Sequence, residues 1–397
     1  MANNLNEINT SLVLQKLWLS GGISRAEISR QLGLGKATVT KIVADLMRRN
    51  LVTVARRGRS GPSGGRSPLH LAINGEYGCV LGVEMQTDFG KAVAIDLKGE
   101  VIFSHSQPIE FRAADPAATF LSFLEDIQRR ARKIRMPLIG VGVGLAGVVD
   151  AAEGVITKSN PLDVHSPLPF RAAVAERVAV PVLIENDANC CCWGELAFRK
   201  TERHRNFCFV LGEFRKGRTT GEEYWGIAVG LGFVLNGKVY RGEGFSAGEF
   251  QSILWKPSNH GQFSVSDDDS RRIKSDPRLL SGVLRELASH IAFLVNTLNL
   301  KSVVIGGEMA AYREELSRIL VEEIQGNWSY KDTVDCSIEF AALGDLAVAY
   351  GAAGMFLEHF FSVPEVADSL TRRKSPRLNV PARGARKTVR TAWLRRP

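Results

Sequence analysis

The chain has 397 residues, which is too long for a single ordinary domain. Its content of 45% hydrophobic and 23% charged residues is typical of a folded globular protein. No apolar run has the length needed to cross a bilayer, and residues 1–10 lack the pattern of a signal peptide. We therefore expect a cytoplasmic protein with no membrane partner. The six cysteines form no CxxC pair, which argues against a zinc ribbon and a thioredoxin-type site.

The net charge of +9 is concentrated towards the two ends of the sequence. Residues 371–397 contain ten lysines and arginines and no acidic residue, and the first 66 residues are also basic. This distribution predicts a polyanionic partner. We expect residues 362–397 to form a disordered basic tail, because few large apolar residues are present there. Two interpretations of the tail stay open: added non-specific affinity for DNA, or no role.

Residues 1–75 are predicted to form a winged helix-turn-helix domain. Apolar residues at helical spacing predict a first helix over residues 11–19. Ser24 and Glu27 have the spacing of a capping box, which predicts the start of a second helix. The third helix, over about residues 36–50, is predicted to be the one that enters the major groove of DNA.

Two short strands then flank a glycine-rich basic segment, which is the pattern of a wing. The predicted DNA contacts are the outward polar and basic residues of the third helix and the wing: Lys36, Thr38, Thr40, Lys41, Arg48, Arg49, Arg56, Arg57, Arg59 and Arg66. The alternative is a helical protein-interaction module with a solvated basic loop.

The rest of the chain is predicted to contain two related α/β halves, residues 76–200 and 201–361. The first half has the predicted order of three strands, a helix and a strand: 79–84, 91–96, 101–104, 116–133 and 138–145. The second half partly repeats it: 207–211, 226–235, 239–240, 279–298 and 302–305. Closing helices are expected at 312–324 and 346–357, with Phe360 and Phe361 just beyond them. Two such halves imply a ligand cleft between them.

Five segments of this part resemble the signature of the ROK family, which groups repressors, open reading frames and kinases: 140–150, 184–195, 232–238, 246–249 and 304–307. The N-terminal module is similar to the winged helix of the family's xylose-, N-acetylglucosamine- and glucose-responsive repressors. The resemblance covers about residues 5–360. It implies an α/β protein in which an N-terminal winged helix-turn-helix precedes a two-lobed, actin/hexokinase-like ROK domain.

The resemblance also places the sugar-binding residues. It implies effector contacts from Asn186, Asp187 and Glu249, with Asp187 as the catalytic base if the protein is a kinase. Asn160, in a loop expected beside the cleft, is a further predicted effector contact. Carboxylates and an amide suit the hydroxyl groups of a sugar. The alternative is that Asn186 and Asp187 only cap the helix that follows them. His165 is expected in a surface loop.

Two departures from the family's kinases predict that catalysis is absent. The stretch after the first strand, residues 83–88, has Met85 and Gln86 where the kinases have a glycine-rich turn that holds phosphate. The second phosphate turn corresponds to residues 226–230 and has lost its hydroxyl residue. Because phosphoryl transfer depends on positioning the phosphates, we expect no catalytic residue. Residues 213–223 are expected to form a solvated polar loop.

No metal or cofactor is expected. Residues 255–276 contain no cysteine, and His260 is their one histidine, so the ligands of the family's zinc loop are missing. Ser252 stands where the family has a sugar-contacting histidine.

Together these features predict a DNA-binding transcriptional regulator of carbohydrate genes, most simply a repressor. Its expected partners are a double-stranded DNA operator, a sugar or sugar-phosphate effector, and further copies of itself in a homodimer or tetramer. One alternative is an ATP-dependent sugar kinase of the ROK family. Another is a DNA-binding regulator whose degenerate sensor responds to a protein partner.

Overall fold

The computed structural model describes residues 2–57, 67–112, 115–175, 177–198, 205–219, 222–342 and 344–362. The helices are α1 (Ala2–Ser20), α2 (Arg25–Leu32), α3 (Lys36–Arg48), α4 (Pro116–Arg130), α5 (Phe170–Ala175), α6 (Asp187–Phe198), α7 (Asp267–Ser270), α8 (Pro277–Leu298), α9 (Arg313–Gly326) and α10 (Ala347–Ser362). The strands are β1 (Ile23–Ser24), β2 (Val52–Arg57), β3 (Leu69–Ile73), β4 (Cys79–Met85), β5 (Phe89–Asp96), β6 (Val101–Pro108), β7 (Leu138–Leu145), β8 (Val148–Asp150), β9 (Val155–Lys158), β10 (Val182–Asn186), β11 (Phe207–Thr219), β12 (Glu222–Leu235), β13 (Lys238–Tyr240), β14 (Ser302–Gly306) and β15 (Ser337–Phe340).

Helices α1 to α3 and the sheet β1-β3-β2 form a winged helix. The predicted capping box is present: the Ser24 hydroxyl accepts from the amide of Glu27, and the Glu27 carboxylate accepts from the amide of Ser24 at 2.9 Å. Buried side chains of all three helices, among them Leu17, Ile28 and Val39, share one core. The periodicity of the sequence therefore predicted this core correctly.

Three boundaries of the winged helix differ from the prediction. Helix α1 begins at Ala2 instead of near residue 11, and α3 ends at Arg48. Strand β2 continues to Arg57, so Arg56 and Arg57 lie in a strand paired with β3. The predicted wing residues Arg59 and Arg66 lie outside the described residues.

The two α/β halves have the same strand order. In the first half it is β10-β7-β4-β5-β6, and in the second it is β15-β14-β11-β12-β13. In both, the first strand pairs in parallel with the fourth and antiparallel with the second. Strands β4 and β7 are buried along their whole length, as expected for apolar strands covered on both faces. The duplication predicted from the sequence is confirmed.

Helix α8 is a core helix of the second half. By length and composition alone it would be long and apolar enough to cross a membrane. Its buried residues, including Leu284, Leu287 and Ile291, pack into the second core together with Ile305 and Leu320. The apolar character of α8 is thus accounted for by the protein interior.

Helix α10 returns from the second half and packs against the sheet of the first half. Glycines of the first sheet permit this, because a Cβ on Gly82 or Gly142 would overlap backbone oxygens of Ala349 or Ala352. The prediction that residues 201–361 form one lobe was therefore wrong for this helix. The prediction that Phe360 and Phe361 lie beyond the last helix was also wrong, since both are in α10 and fully buried.

Helix α10 also joins the winged helix to the larger domain. The ring of Phe361 stacks on Trp18 of α1, with 4.9 Å between the ring centroids. Apolar residues of the winged helix and of the first half, such as Leu14 and Val93, belong to one buried cluster with Phe360. Among the described residues, one buried core runs through both units.

A third contact of α10 fixes its distance from α6. A Cβ on Gly351 would overlap the carbonyl oxygen of Cys190, and Gly194 of α6 also lies against Gly351. The two helices therefore approach closely where no side chain separates them. The side chains of Cys190, Cys191 and Cys192 are buried.

We predict opposite effects of alanine at two helical glycines. Gly351→Ala should lower the free energy of unfolding by about 1–3 kcal/mol, because the new methyl group must push α6 and α10 apart. Gly282→Ala, in α8 with open space around it, should raise the free energy by about 0.5–1 kcal/mol. Urea unfolding followed by circular dichroism measures both. A Gly351→Ala protein as stable as Gly282→Ala would show that the helices do not touch there.

Candidate functional site

The outer face of α3 presents the predicted DNA contacts to solvent. Lys36, Thr40 and Lys41 are exposed, and Thr38 is half-buried. Lysine and hydroxyl side chains in the first half of such a helix suit contacts to base edges and phosphates. Thr40 donates its hydroxyl to the carbonyl of Lys36, which leaves its oxygen able to accept.

The last turn of α3 carries two arginines that share one acid. Arg48 and Arg49 both form ion pairs with Asp45, the second at 2.9 Å. The pairs hold the guanidinium groups against the helix without burying them. Arg56 and Arg57 of β2 are exposed as well.

A second candidate site lies where α6 begins, between the two halves. Asn186 is the last residue of β10, and its amide group donates to the carbonyl of Gly147 at 3.0 Å. Its oxygen accepts from the backbone amide of Asn189 at 3.0 Å, as an N-cap does. The capping interpretation of Asn186 is thus correct, and ligand contact by its remaining donor stays a prediction.

Asp187, the first residue of α6, is almost inaccessible to solvent, with 6% of its surface exposed. One carboxylate oxygen accepts from the backbone amide of Ala188 at 2.9 Å, and the other accepts from Gln86 Nε2 at 3.4 Å. Arg215 lies 3.8 Å from that second oxygen. Burial raises the pKa of Asp187, and the positive charge of Arg215 opposes that rise.

Gln86 is central to this cluster, at the position where a phosphate-holding turn was predicted to be lost. It is buried and also donates to Glu84 Oε1 at 3.2 Å. Among the described residues, Gln86 Oε1 has no hydrogen-bond partner. A side chain thus occupies the space that a glycine would leave open to a phosphate.

Glu84 is fully buried under Gln86. Burial raises the pKa of Glu84 to about 8, and the nearby carboxylate of Glu213 adds to the rise. Lys91, 3.7 Å from Glu84, and Arg215 lower it. The fold therefore favours the protonated form of Glu84.

The prediction of a solvated polar loop over residues 213–223 was wrong. These residues belong mostly to the paired strands β11 and β12, and Glu213 is buried. Arg215 donates to Glu213 at 2.5 and 2.8 Å and approaches Asp187. The spacing of two between Glu213 and Arg215, which places both on one face of a strand, was the signal that could have revealed them.

Residues 226–230 are not a phosphate turn. They continue β12 in regular antiparallel register with β11, from Gly226 opposite Arg215 to Gly230 opposite Leu211. Gly230 lies close to Asp187 and Ala188 and forms an isolated bridge with Glu249. The strand thus forms a wall of the cleft.

Glu249 and Asn160 lie at the edge of this cluster. Glu249 is an exposed residue whose carboxylate is partly shielded from solvent; this desolvation raises its pKa, the charge of Asp187 raises it further, and Lys158 lowers it. Asn160 is in an exposed turn next to Pro161, whose carbonyl accepts from Thr87 at 2.5 Å. The Asn160 side chain makes no hydrogen bond to another described residue. Of the four predicted effector contacts, the structure brings Asn186, Asp187 and Glu249 together and leaves Asn160 at the rim.

Three other predicted features are accounted for by local structure. His165 is an exposed loop residue paired with Asp163, as expected. Ser252 is buried, and its hydroxyl accepts from the amide of Leu254. His260, in the segment compared with a zinc loop, pairs with Asp267 at 2.6 Å. Groups of three metal-ligating side chains do not occur in the described part of the chain.

Sequence reasoning missed a second ion pair across the cleft. Arg241, just after β13, donates to the fully buried Glu185 at 2.5 and 2.8 Å. Trp193 donates to the same carboxylate, and its ring lies 5.7 Å from the Arg241 guanidinium. Thus two arginines of the second half contact the two carboxylates that flank Asn186.

Comparisons with known proteins agree with this geometry. The model of the ROK family matches residues 80–261. The chain is 25% identical to a xylose repressor of Caldicellulosiruptor bescii over 91% of its own length and 98% of that protein. Its fold resembles that of a ROK family transcriptional regulator described as a homologue of the E. coli MLC protein, with a TM-score of 0.75, 18% identity, and coverage of 93% of this chain and 100% of that one.

A similarity to an enzyme is more partial. A ROK family glucokinase from Streptomyces griseus, solved with glucose and AMPPNP, aligns with a TM-score of 0.54 and 20% identity. The alignment covers 70% of this chain and 99% of the glucokinase. At these identities the two structures establish the fold alone.

We predict that Glu84 makes stability depend on pH. Unfolded, Glu84 titrates near its ordinary value of 4.5, whereas in the fold it titrates near 8. Between these values only the folded protein keeps the proton, so stability is lost as pH rises through this window. The side chain of Glu84→Gln stays uncharged. The Tm of this variant should therefore fall less than the wild-type Tm between pH 5 and pH 8.

The control is Glu100→Gln, which removes an exposed acid from the same half. Its Tm should follow the wild-type pH profile. Differential scanning fluorimetry across buffers of equal ionic strength gives the comparison. Parallel profiles for Glu84→Gln and wild type would mean that Glu84 ionises normally in the fold.

Proposed function

Because residues 80–261 form a ROK family domain, we propose that this protein is a cytoplasmic, sugar-responsive transcription repressor whose kinase-like cleft senses a ligand and does not catalyse. The relative that aligns along almost its whole length is named a xylose repressor. The proposal depends on one observation. The winged helix exposes the cations of α3, and it packs through a shared core onto the domain that holds the cleft.

Lack of catalysis is supported by the contents of the cleft. Gln86 and Arg215 contact Asp187, the residue that would serve as base in a kinase. A phosphoryl-transfer enzyme needs glycine backbone and open space there to hold phosphates. Here that space contains the amide of Gln86, whose nitrogen donates to Glu84 and Asp187, and the guanidinium group of Arg215, which pairs with Glu213.

The charges of the cleft favour an uncharged sugar over a sugar phosphate. Around Asp187, the carboxylates of Glu213, Asp187 and Glu249 outnumber the cations Arg215 and Lys158. The other two cations, Lys91 and Arg241, are paired with Glu84 and Glu185. Arg215 is already engaged by two carboxylates, which leaves it a poor partner for a phosphate. The free acceptor of Gln86 and the donor of Asn186 suit hydroxyl groups.

A sugar that binds Asp187 must displace Arg215, because the carboxylate is buried under that contact. A sugar held between Asp187 of the first half and Glu249 of the second would change how the halves sit together. Helix α10 packs on α6, on the first sheet and on α1, so the change reaches the winged helix. The effect on DNA affinity is limited by the difference in sugar affinity between the two arrangements.

A symmetric DNA site is bound by two winged helices, one on each half-site. We propose a homodimer or a dimer of dimers that binds a pseudo-palindromic operator, with half-sites about one or two helical turns of roughly 10 bp apart.

Two rival functions make different predictions. A ROK sugar kinase would release ADP with a hexose or pentose and would lose that activity in Asp187→Ala. A regulator with a degenerate sensor would bind DNA but remain silent in thermal-shift screens against a broad sugar panel. The glucokinase fold supports the first rival, and the paired state of Asp187 argues against it.

We predict that Lys41→Ala combined with Arg49→Ala weakens binding to duplex DNA and makes it less dependent on salt. Removing one phosphate contact should reduce the slope of log affinity against log salt by about 0.9. Fluorescence anisotropy between roughly 50 and 200 mM salt measures the slope. Lys238→Ala combined with Arg278→Ala, two exposed cations of the second half, is the control. An unchanged slope in the Lys41/Arg49 variant would contradict the assignment of α3.

We also predict that Asp187→Ala keeps operator binding but loses the response to sugar, because the carboxylate contacts the ligand and not the DNA. D-xylose is the first probe, since it is the sugar in the relative's name. The control is Asp163→Ala, an exposed acid in the loop beside Asn160. Operator affinity with and without sugar gives the result, and an unaltered response in Asp187→Ala would place the sugar elsewhere.

A further inference from the structure

Residues 129–135 form an exposed basic segment on the first half, away from the cleft. Five of the seven residues are cationic, and all five are exposed: Arg129, Arg130, Arg132, Lys133 and Arg135. The sequence folds this way because α4 buries its apolar face, including Phe120, Phe123 and Ile127, against the first sheet. The charges that follow are left on the outside.

Ordinary helix stabilisation accounts for only part of this segment. Cations in the last turn of a helix interact with its dipole, which explains Arg129 and Arg130. Arg132, Lys133 and Arg135 lie beyond the end of α4, where the dipole effect fades. Arg129 pairs with Asp126, but no carboxylate among the described residues pairs with Arg130, Arg132 or Lys133. These three cations are therefore available to bind an anionic partner.

The basic segment lies at the end of the first half that receives the winged helix. It leads into β7, and the carbonyl of Pro137 accepts from the amide of Cys79 at 2.8 Å, at the start of β4. Five residues before Cys79, Asn74 donates its side-chain amide to the carbonyl of Asn50 at 2.9 Å. Asn50 follows directly on Arg48 and Arg49 of the reading helix. A short series of contacts therefore connects the two basic surfaces.

Acidic residues at this end do not cancel the basic segment. Glu76 is exposed in the linker. Asp96 is near Gly75, and one of its carboxylate oxygens accepts from the backbone amides of Lys98 and Glu100. Glu100 is exposed at the same turn. Three acidic residues thus lie near the linker. The five cations lie within seven consecutive residues, so they can contact neighbouring phosphates of a DNA backbone.

We propose that the basic segment contacts the phosphates of duplex DNA beside the site read by α3, so that the sensor domain itself adds sequence-independent affinity. The inference rests on the proposed DNA-binding function. Duplex DNA fits because it presents a negative charge about every 1.7 Å along its axis, and clustered arginines and lysines neutralise such a surface. The segment's continuity with the reading helix favours DNA over an acidic membrane.

The test uses the full chain with Arg130→Gln, Arg132→Gln and Lys133→Gln combined. Mixed-sequence duplexes of about 12 bp, one helical turn, and about 40 bp serve as probes. The variant should bind the long duplex about tenfold more weakly, with a salt slope lower by up to about 0.9 for each phosphate that it no longer neutralises. Binding to the short duplex, which cannot reach the flank, should be unchanged.

The matched control is Arg271→Gln, Arg278→Gln and Lys331→Gln combined, which removes two arginines and a lysine from exposed positions of the second half. It should match the wild type on both duplexes. Equal loss in the two triple variants would reduce the effect to net charge and overturn the proposal. So would unchanged binding of the 40-bp duplex, or binding to phosphatidylserine vesicles in place of DNA.

The Lys41/Arg49 variant, measured in parallel, separates the two hypotheses. If wild-type protein ignores both duplexes, the DNA-binding function itself fails. If the Lys41/Arg49 variant loses affinity and the Arg130/Arg132/Lys133 variant does not, only the flanking contact is wrong.

Discussion

The close approach of α6 and α10 at Gly351 and Cys190 is the constraint on which the rest of the structure depends. Helix α6 begins with Asp187 in the cleft, and Phe361 in the last turn of α10 packs against Trp18 of the winged helix. Because no side chain separates the two helices, a displacement of one must be followed by the other. The same α10 rests on glycines of the first sheet. The cleft at the start of α6 and the winged helix are therefore connected through the packing of α10.

Ion pairs connect the two halves at the cleft. Their contribution is to fix the positions of the halves more than to stabilise the fold. Burying Glu185, Asp187 and Glu213 costs free energy that Arg215 and Arg241 offset through short contacts. Replacing one partner by a ligand changes this balance sharply, since an unpaired buried charge is costly. Two arginines from the second half hold the strand-to-helix junction of the first. Such an arrangement suits a sensor, which needs two states of similar free energy.

Much of the fold could be predicted from the sequence because its signals are local. The capping box at Ser24 and the uniformly apolar strands β4 and β7 each specify their element without help from distant residues. The duplicated strand order follows from the repeated succession of elements. The positions of Asn186 and Asp187 came from a resemblance, and geometry added that Asn186 caps α6.

What the sequence did not predict depends on long-range contacts. Glu213 and Arg215 look like a polar loop until β11 and β12 pair over their whole length. Phe360 and Phe361 appear to lie beyond the last helix because their partner, Trp18, is more than 340 positions away in the chain. Glycines at 82, 142 and 351 give no local signal, since their role is to admit another backbone. Side chains on the cleft's charged wall were missed for the same reason.

The central claim is that sugar binding in the cleft and DNA binding by the winged helix are coupled through this core. Coupling between two ligands is reciprocal. The most direct measurement is a calorimetric titration of D-xylose into the protein, free and saturated with an operator duplex obtained by in vitro selection. The account predicts that DNA weakens sugar binding by a factor within the range of about 5 to 150 typical of such coupling. Measurable sugar binding with the same affinity in both titrations would contradict it.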